Sequence, residues 1–343
     1  MKVLVIILFL IGFFFLILKK KTNTEDSSIL DVNKEPNPSQ QSKESPTAIK
    51  PKQEETEPYE WKDYNPTTQE EFKEAFITEG LGDKWQYFKT QLRPEIRIKP
   101  KHVEEDLLDI GQSKIGGNPD LPSDVNWPIQ KNGKKLAFLA QLNFNEFKSE
   151  IPNLPNSGIL YFFYDEAQEF WGDSKENSDS FRSIFIENPS NLERRTAPDD
   201  FVVLKGGMYR PCKLKFTNSY SLPNWEHDYV SEQFKDTNNE PYIDISSSGQ
   251  YITKLFGHSI NVQGTMEYEC EMVDRGYSWN DIPENEKPII SKESNKWNLL
   301  FQLDSEDEAK MMWGDVGRLY FWIKKEDLEK HNFDKTWMMF QCH

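Results

Sequence analysis

The amino-acid sequence contains one succession of elements twice, and this repeat limits the folds open to the chain more than any other feature. Each copy has a glycine-containing turn, an apolar strand that ends in Gln-Leu, and an aromatic strand led by glycine. The copies comprise 114–119, 136–142 and 158–163, and then 254–259, 297–303 and 317–322. This recurrence predicts two β modules that form one domain.

Short runs rich in aromatic and β-branched residues, separated by turn residues, dominate the chain after residue 93, as is typical of a β-rich protein. The predicted strands are 93–101, 136–142, 158–164, 181–186, 201–204, 213–216, 251–256, 297–303 and 317–323. The fold class is therefore predicted as α+β and β-rich, with halves at approximately 93–200 and 201–343.

Two short helices are predicted before the strands, so that the folded domain covers 66–343. Thr68 and Glu71 have the spacing of a capping box, which favours a helix over 67–79. A second, shorter helix is predicted over 84–89, ahead of a proline that the helix does not continue through.

The amino terminus has the pattern of a membrane anchor. Residues 3–18 are apolar throughout, with Lys2 before them and lysines at 19–21. As a helix this run would be about 24 Å long, and the flanking lysines can extend to the two interfaces. No small-residue cleavage site follows the run, so an uncleaved transmembrane anchor over 1–21 is predicted, with a cleaved signal peptide as the alternative.

The lysines after the apolar run place the domain on the cytoplasmic side by the positive-inside rule. Cys212, Cys270 and Cys342 are odd in number and widely spaced, unlike a disulfide framework, which agrees with that side. Residues 22–65 are rich in Pro, Ser, Gln, Glu and Lys and are predicted to be a disordered linker.

The charge of the chain excludes one class of partner and favours another. With 57 acidic and 41 basic residues, the formal net charge is -16, and no basic stripe with interleaved aromatics is present. Nucleic acid is therefore not expected as a partner. A basic protein is the partner that such a charge steers towards the domain.

Five residues are candidates for a ligand site between the two halves: Gln141, Gln302, His258, Trp313 and Asp315. The glutamines occupy matching positions at the ends of apolar strands. There, a neutral amide either satisfies backbone groups across a two-fold-like interface or orients a polar ligand in a shared pocket between the halves. His258 is the only histidine within the repeated motif, and Asp315 is expected to structure a glycine turn.

No catalytic residue, metal site or cofactor is predicted. The chain has no HExxH pair, no G-x-S-x-G elbow and no phosphate-binding glycine loop. The acidic run 304–308 does not have EF-hand spacing and favours a solvated loop. The three cysteines have no local sign of activation and are interpreted as buried or incidental thiols.

The sequence resembles the YwqG-like family, a bacterial group whose domain has no known function. The resemblance lies in 113–122, 127–128, 139–143, 154–163, 299–305, 312–317 and 319–323. It covers approximately 66–343, whereas the predicted anchor and linker depart from a family that is mostly soluble and cytoplasmic.

The resemblance implies a mixed, β-rich fold and no established activity. Some relatives resemble immunity proteins of bacterial toxin systems, which implies a non-enzymatic module that binds and occludes a protein partner. The alternative is an enzyme or small-ligand receptor with its pocket between the two halves. Convergence of the five candidate side chains in one concave pocket would favour that alternative.

Overall fold

The computed structural model describes residues 62, 64–176, 178–198, 209–247 and 252–343. The predicted anchor, nearly all of the predicted linker and the strand predicted over 201–204 lie outside these residues. Within the described part of the chain, no helix is both long enough and apolar enough to cross a membrane.

The described residues form twelve strands and seven α-helices. In chain order, the strands β1 to β12 are Arg93–His102, Lys114–Ile115, Asp120–Pro122, Ala137–Asn143, Ile159–Tyr164, Phe181–Ile186, Leu192–Arg194, Cys212–Ser221, Lys254–Phe256, Trp297–Asp304, Arg318–Lys324 and Trp337–Gln341. The helices α1 to α7 are Gln69–Thr78, Trp85–Lys89, Asp228–Ser231, Glu240–Ser246, Glu267–Asp274, Lys287–Glu293 and Lys325–Glu329.

The two helices predicted at the start of the domain are confirmed. The Thr68 side chain accepts from the Glu71 N–H at 3.2 Å, and the Glu71 carboxylate accepts from the Thr68 N–H at 3.1 Å. This reciprocal capping satisfies two N–H groups that a free helix end would leave unpaired. Helix α1 begins at Gln69, immediately after its cap.

Ten of the strands form one antiparallel sheet in the order β12-β11-β10-β9-β1-β8-β2-β4-β5-β6, while β3 pairs with β7 separately. The sheet nearly closes, because its two edge strands approach each other. Thr336, just before β12, donates to Ser183 on β6 at 2.7 Å, and the Trp337 indole donates to the Gly172 carbonyl at 2.9 Å. The predicted β-rich fold class is therefore confirmed.

The middle of the sheet exchanges strands between the two predicted halves. Strand β1 comes from the first half, yet it pairs with β9 of the second; strand β8 comes from the second half and pairs with β2 of the first. The two exchanged strands also pair with each other along their whole length, from Arg93 opposite Ser221 to His102 opposite Cys212. Each half of the sheet is thus completed by a strand of the other.

The flanking strands have the same register in both halves. Gln141 lies opposite Lys114 on one side and Tyr161 on the other. Gln302 lies opposite Lys254 and Tyr320 in the same way. Both β4 and β10 also contain a register shift one residue before the position that faces β2 or β9. The sequence repeat therefore corresponds to a repeated hydrogen-bonding arrangement.

The main core lies inside the curled sheet, where strands of the two halves meet. The Phe162 ring is 4.7 Å from the Phe301 ring and 4.7 Å from the Phe321 ring, measured between centroids. A second core lies between the helices, around Phe76, Phe88 and other side chains of α1, α2 and α4. The first core joins the two halves, since Phe162 belongs to one and Phe301 and Phe321 to the other.

We predict that removing either repeated amide destabilises the domain. Gln141 and Gln302 are both fully buried, and leucine in either place would leave a backbone N–H and a backbone carbonyl without the partners that the amide supplies. The free energy of unfolding should fall by about 1–3 kcal/mol in each single variant, as measured by urea denaturation. Gln86→Leu, at an exposed position of α2, is the control. An equal loss in the control would contradict the prediction.

Candidate functional site

The five side chains predicted as a ligand site occupy separate places. Four strands lie between β4 and β10, so Gln141 and Gln302 do not face each other. Trp313 is buried in the main core and donates from its indole to the Asp304 carbonyl at 2.9 Å. Asp315 is exposed. Of the five, only His258 lines the cleft described below.

Each glutamine satisfies backbone groups of its own half. The Gln141 amide accepts from the Asp120 N–H at 2.8 Å and donates to the Gln112 carbonyl at 2.7 Å. The Gln302 amide accepts from the Ile260 N–H at 2.9 Å and donates to the Ile252 carbonyl at 2.7 Å. The amides thus bind backbone groups, but within one half and not across a two-fold-like interface between the halves.

A cleft of about 680 Å³ lies where the helices meet the Arg93 end of β1. We call it the aromatic cleft. Five separate parts of the chain line it. Their aromatic, histidine and charged side chains in the cleft are Tyr87, Arg93, Glu226, His227, Asp228, Tyr229, His258, Glu267, Tyr268 and Trp297. This volume is within the range typical of ligand pockets, and the titratable groups converge as they do in functional sites.

His258 is held neutral at one wall of the aromatic cleft. Its Nε2 lies 2.8 Å from the Gln91 carbonyl oxygen, which only accepts, so Nε2 carries the proton. Its backbone N–H donates to the Ser221 hydroxyl at 2.8 Å. Burial and the nearby Arg93 guanidinium hold the pKa of His258 well below its usual range. Its imidazole is therefore a fixed donor and not a proton carrier at neutral pH.

His227 and Tyr229 form a stacked pair that lines the same cleft. Their ring centroids are 5.1 Å apart, with an angle of 28° between the planes. The Tyr87 hydroxyl donates to the Tyr229 carbonyl at 3.1 Å and ties this segment to α2. Burial lowers the pKa of His227, although Glu267 opposes the shift. A neutral imidazole stacked on a phenol presents a flat polarisable surface to the cleft.

The charged groups of the aromatic cleft are predominantly acidic. Glu226, Asp228 and Glu267 contribute three carboxylates against the single guanidinium of Arg93. The rings of Tyr229 and Tyr268 line the same cleft. Aromatic faces next to carboxylates are a combination that binds ammonium and guanidinium groups.

The serines and cysteines of the described residues lack the contacts of a nucleophile. Ser294, which lines the aromatic cleft, donates its hydroxyl to the Ser291 carbonyl at 2.9 Å. All three cysteines are buried and free. Burial raises the pKa of the Cys212 thiol to about 12 and that of Cys270 well above its usual range. Both thiols therefore stay protonated at neutral pH.

The acidic run after β10 is partly buried, which the sequence did not predict. Glu306 accepts a hydrogen bond from the Thr253 hydroxyl, and burial raises its pKa to about 7. Asp304 is bound by the Arg318 guanidinium at 2.9 Å. In the part of the chain that the structure describes, no three His, Cys, Asp or Glu side chains are grouped as metal ligands.

Sequence reasoning identified one residue of the aromatic cleft, His258, from its place in the repeat. Trp297 also lies in the repeat but was predicted only as the start of a strand, and the other lining residues belong to no shared motif. Arg93 begins a strand, Tyr229 lies in a short helix and Glu267 begins another helix. Folding alone brings them together.

Residues 113–342 match the model of a protein family described as a domain of unknown function, DUF1963. The match covers more than half of the chain, which therefore belongs to this family. No curated protein matches the chain. The matched region begins after β1, so Tyr87 and Arg93 of the aromatic cleft lie before it.

We predict that His258 makes the domain less stable in mild acid. The unfolded chain protonates this histidine near its usual pKa of about 6.5, whereas the folded chain does so only at lower pH. Its contribution to stability is therefore complete above about pH 6.5 and is lost as the pH falls below that value. His258→Asn should reduce the loss of unfolding free energy between about pH 7.5 and about pH 5.5. The control is His343→Asn, at an exposed terminal residue, and equal slopes in both variants would contradict the assignment.

Proposed function

We propose that this protein is a YwqG-like, non-enzymatic binding module that receives a basic protein partner in the aromatic cleft. The observation that supports it is the combination of three carboxylates, one guanidinium and several aromatic faces around one concavity. A lysine or arginine side chain entering the cleft would meet carboxylates and ring faces together. The net charge of -16 would speed the encounter with such a partner.

The contacts of the polar groups support binding over catalysis. His258 has its ring N–H on a backbone carbonyl, Ser294 has its hydroxyl on another, and the buried Cys212 and Cys270 thiols are protonated. None of these groups is arranged as a nucleophile beside a base. Occlusion of a toxin, as in immunity proteins, is the role we propose for such a module.

A small-ligand receptor is the second candidate, because the volume of about 680 Å³ would also hold a small molecule. The pocket for this candidate is the aromatic cleft and not a seam between Gln141 and Gln302. Arg93 would then bind an anionic group of the ligand, and the carboxylates and aromatic rings would bind a cationic group of the same ligand.

We expect removal of the cleft carboxylates to weaken binding of a basic ligand. In the full-length protein, Glu226→Gln, Asp228→Asn and Glu267→Gln together should raise the Kd of a short oligo-arginine peptide about tenfold, equal to about 1.4 kcal/mol. Isothermal titration at low salt measures this change. The control triple variant Glu232→Gln, Asp236→Asn and Glu329→Gln alters exposed acids elsewhere and has the same net charge. Equal weakening in both would mean that overall charge, and not the aromatic cleft, binds the peptide.

Affinity capture with the same two full-length variants extends the test to the natural partner. A basic protein should be retained by the wild type and the control at low salt, released at high salt, and lost with the cleft variant. Recovery of a metabolite that depends on Arg93 would favour the small-ligand receptor.

We also propose that residues 1–21 anchor the domain at the cytoplasmic face of a membrane. The support is the apolar run at 3–18 with its lysine flanks. The chain should stay with membranes after a high-salt wash, and the domain should survive protease treatment of intact cells. Digestion of the domain in intact cells would show that it lies on the outer side of the membrane. Release of the chain by salt would contradict the anchor.

A further inference from the structure

Three large apolar side chains lie exposed in two loops that meet beside strand β12. Trp171 is 41% exposed, Met312 is 48% exposed and Val316 is 52% exposed. Single exposed apolar residues are common on protein surfaces, whereas a group of them is typical of an interaction surface. We call these three side chains the apolar platform.

The ring of Phe340, on β12, brings the two loops together. The Trp171 indole stacks on this ring, with 4.6 Å between the centroids and 28° between the planes. From the other loop, a Cβ atom added to Gly314 would lie 3.0 Å from Cζ of the same ring. The Gln168 amide also connects the loops, since it donates to the Met312 carbonyl and accepts from the Gly314 N–H, both at 2.9 Å. The exposed side chains therefore belong to one surface.

Both loops are held on β12 by the backbone of the domain itself. The Phe340 N–H donates to the Trp171 carbonyl at 3.0 Å. A Cβ atom at Gly317 would lie 2.2 Å from the Gln341 carbonyl oxygen, so the backbone at this glycine packs directly on the strand. A surface that is already ordered loses little entropy when it binds a partner, which favours affinity.

Backbone strain is concentrated in the same two loops. Gln168 has a φ of 57° and Val316 has a φ of 49°, in the left-handed region that residues other than glycine rarely adopt. Among the described non-glycine residues in that region, Val316 is the only β-branched one, for which the conformation is most costly. Its side chain is exposed, so packing in the core does not offset this cost. Strain of this kind clusters at binding sites.

The charged residues of both loops are all acidic. The loops at 168–173 and 312–317 contain the exposed Glu169, Asp173 and Asp315 and no lysine or arginine. An apolar surface beside carboxylates is complementary to a segment with apolar and basic side chains. The same carboxylates repel an anionic membrane surface and a second copy of this chain, whose net charge is -16.

We propose that the apolar platform binds a basic, apolar segment of a protein partner. Trp171 and Met312 make apolar contacts with it, as these residue types commonly do at interfaces, and the neighbouring carboxylates bind its lysines or arginines. Val316 presents its side chain to the partner from a conformation that lowers the stability of the free domain. This contact is separate from the aromatic cleft and does not depend on it.

Titration with matched peptides tests the proposal. The probes are two short peptides of equal length, in which lysine alternates with leucine or with serine. The full-length protein in zwitterionic detergent should bind the Lys-Leu peptide about tenfold more tightly than the Lys-Ser peptide. The double variant Met312→Ser with Val316→Asn should abolish this difference, because the two peptides have the same charge.

The control for this titration is Leu107→Ser with Ile129→Ser, which changes exposed apolar residues elsewhere. It should retain the preference for the Lys-Leu peptide. Equal affinity of the wild type for the two peptides, or loss of the preference in the control as well, would overturn the proposal.

Methyl NMR locates the bound peptide. With the methionine methyl groups labelled with carbon-13, the Lys-Leu peptide should shift the resonance of Met312, which Met312→Leu identifies. The cleft variant Glu226→Gln, Asp228→Asn and Glu267→Gln should leave this shift unchanged, so the apolar platform and the aromatic cleft are tested separately. Loss of the shift in the cleft variant would overturn the proposal and assign the peptide to the aromatic cleft.

Val316 provides a readout that a purely structural residue would not give. Val316→Asn alone should raise the urea midpoint of unfolding, since asparagine tolerates the left-handed conformation better than valine. The same variant should bind the Lys-Leu peptide about threefold more weakly, because the valine side chain is lost from the surface. A variant that is more stable but binds as tightly as the wild type would overturn the proposal.

Sedimentation in density-matched detergent tests the competing occupant, a second copy of the chain. The oligomeric state should be the same in the wild type and in the double variant Met312→Ser with Val316→Asn. A wild-type dimer that this double variant dissociates would overturn the proposal and assign the apolar platform to self-association.

Discussion

The exchange of β1 and β8 between the two halves is the constraint on which the rest of the structure depends. Either half without its exchanged strand would expose the edge of β2 or β9, each of which is only two or three residues long. Such short strands cannot hold a sheet edge together by themselves. The long antiparallel pair in the middle therefore joins two incomplete halves into one sheet, and the aromatic contacts inside it follow from that union.

The same strand pair carries the edge of the aromatic cleft at one end and a group of exposed lysines towards the other. At one end, Arg93 lies opposite Ser221, whose hydroxyl accepts from His258, and the aromatic cleft opens there. Towards the other end, the exposed Lys99 lies opposite Lys215 and the exposed Lys101 lies opposite Lys213. A basic surface and an acidic cleft are thus built on one pair of strands, in a chain whose overall charge is strongly negative.

The local elements could be predicted from the sequence because local signals determine them. The capping box at Thr68 marks helix α1, and the matched Gln141 and Gln302 indicate equivalent strands. The exchange of strands could not be predicted, since hydrophobic alternation shows that a segment is a strand but not which strand it pairs with. Strand β12, at Trp337–Gln341, was missed because both of its faces are buried and it does not alternate. The aromatic cleft was missed, apart from His258, because five distant segments build it.

The pairing of Arg93 with Ser221 also has a consequence for synthesis of the chain. During translation, all strands of the first half leave the ribosome before β8 does. Until β8 emerges, the place between β1 and β2 in the sheet is empty. The nascent first half must therefore wait, with open strand edges, until Ser221 has emerged, and non-local pairing of this kind is slow. Folding of this domain is a late event, in which the second half supplies the template that completes the first.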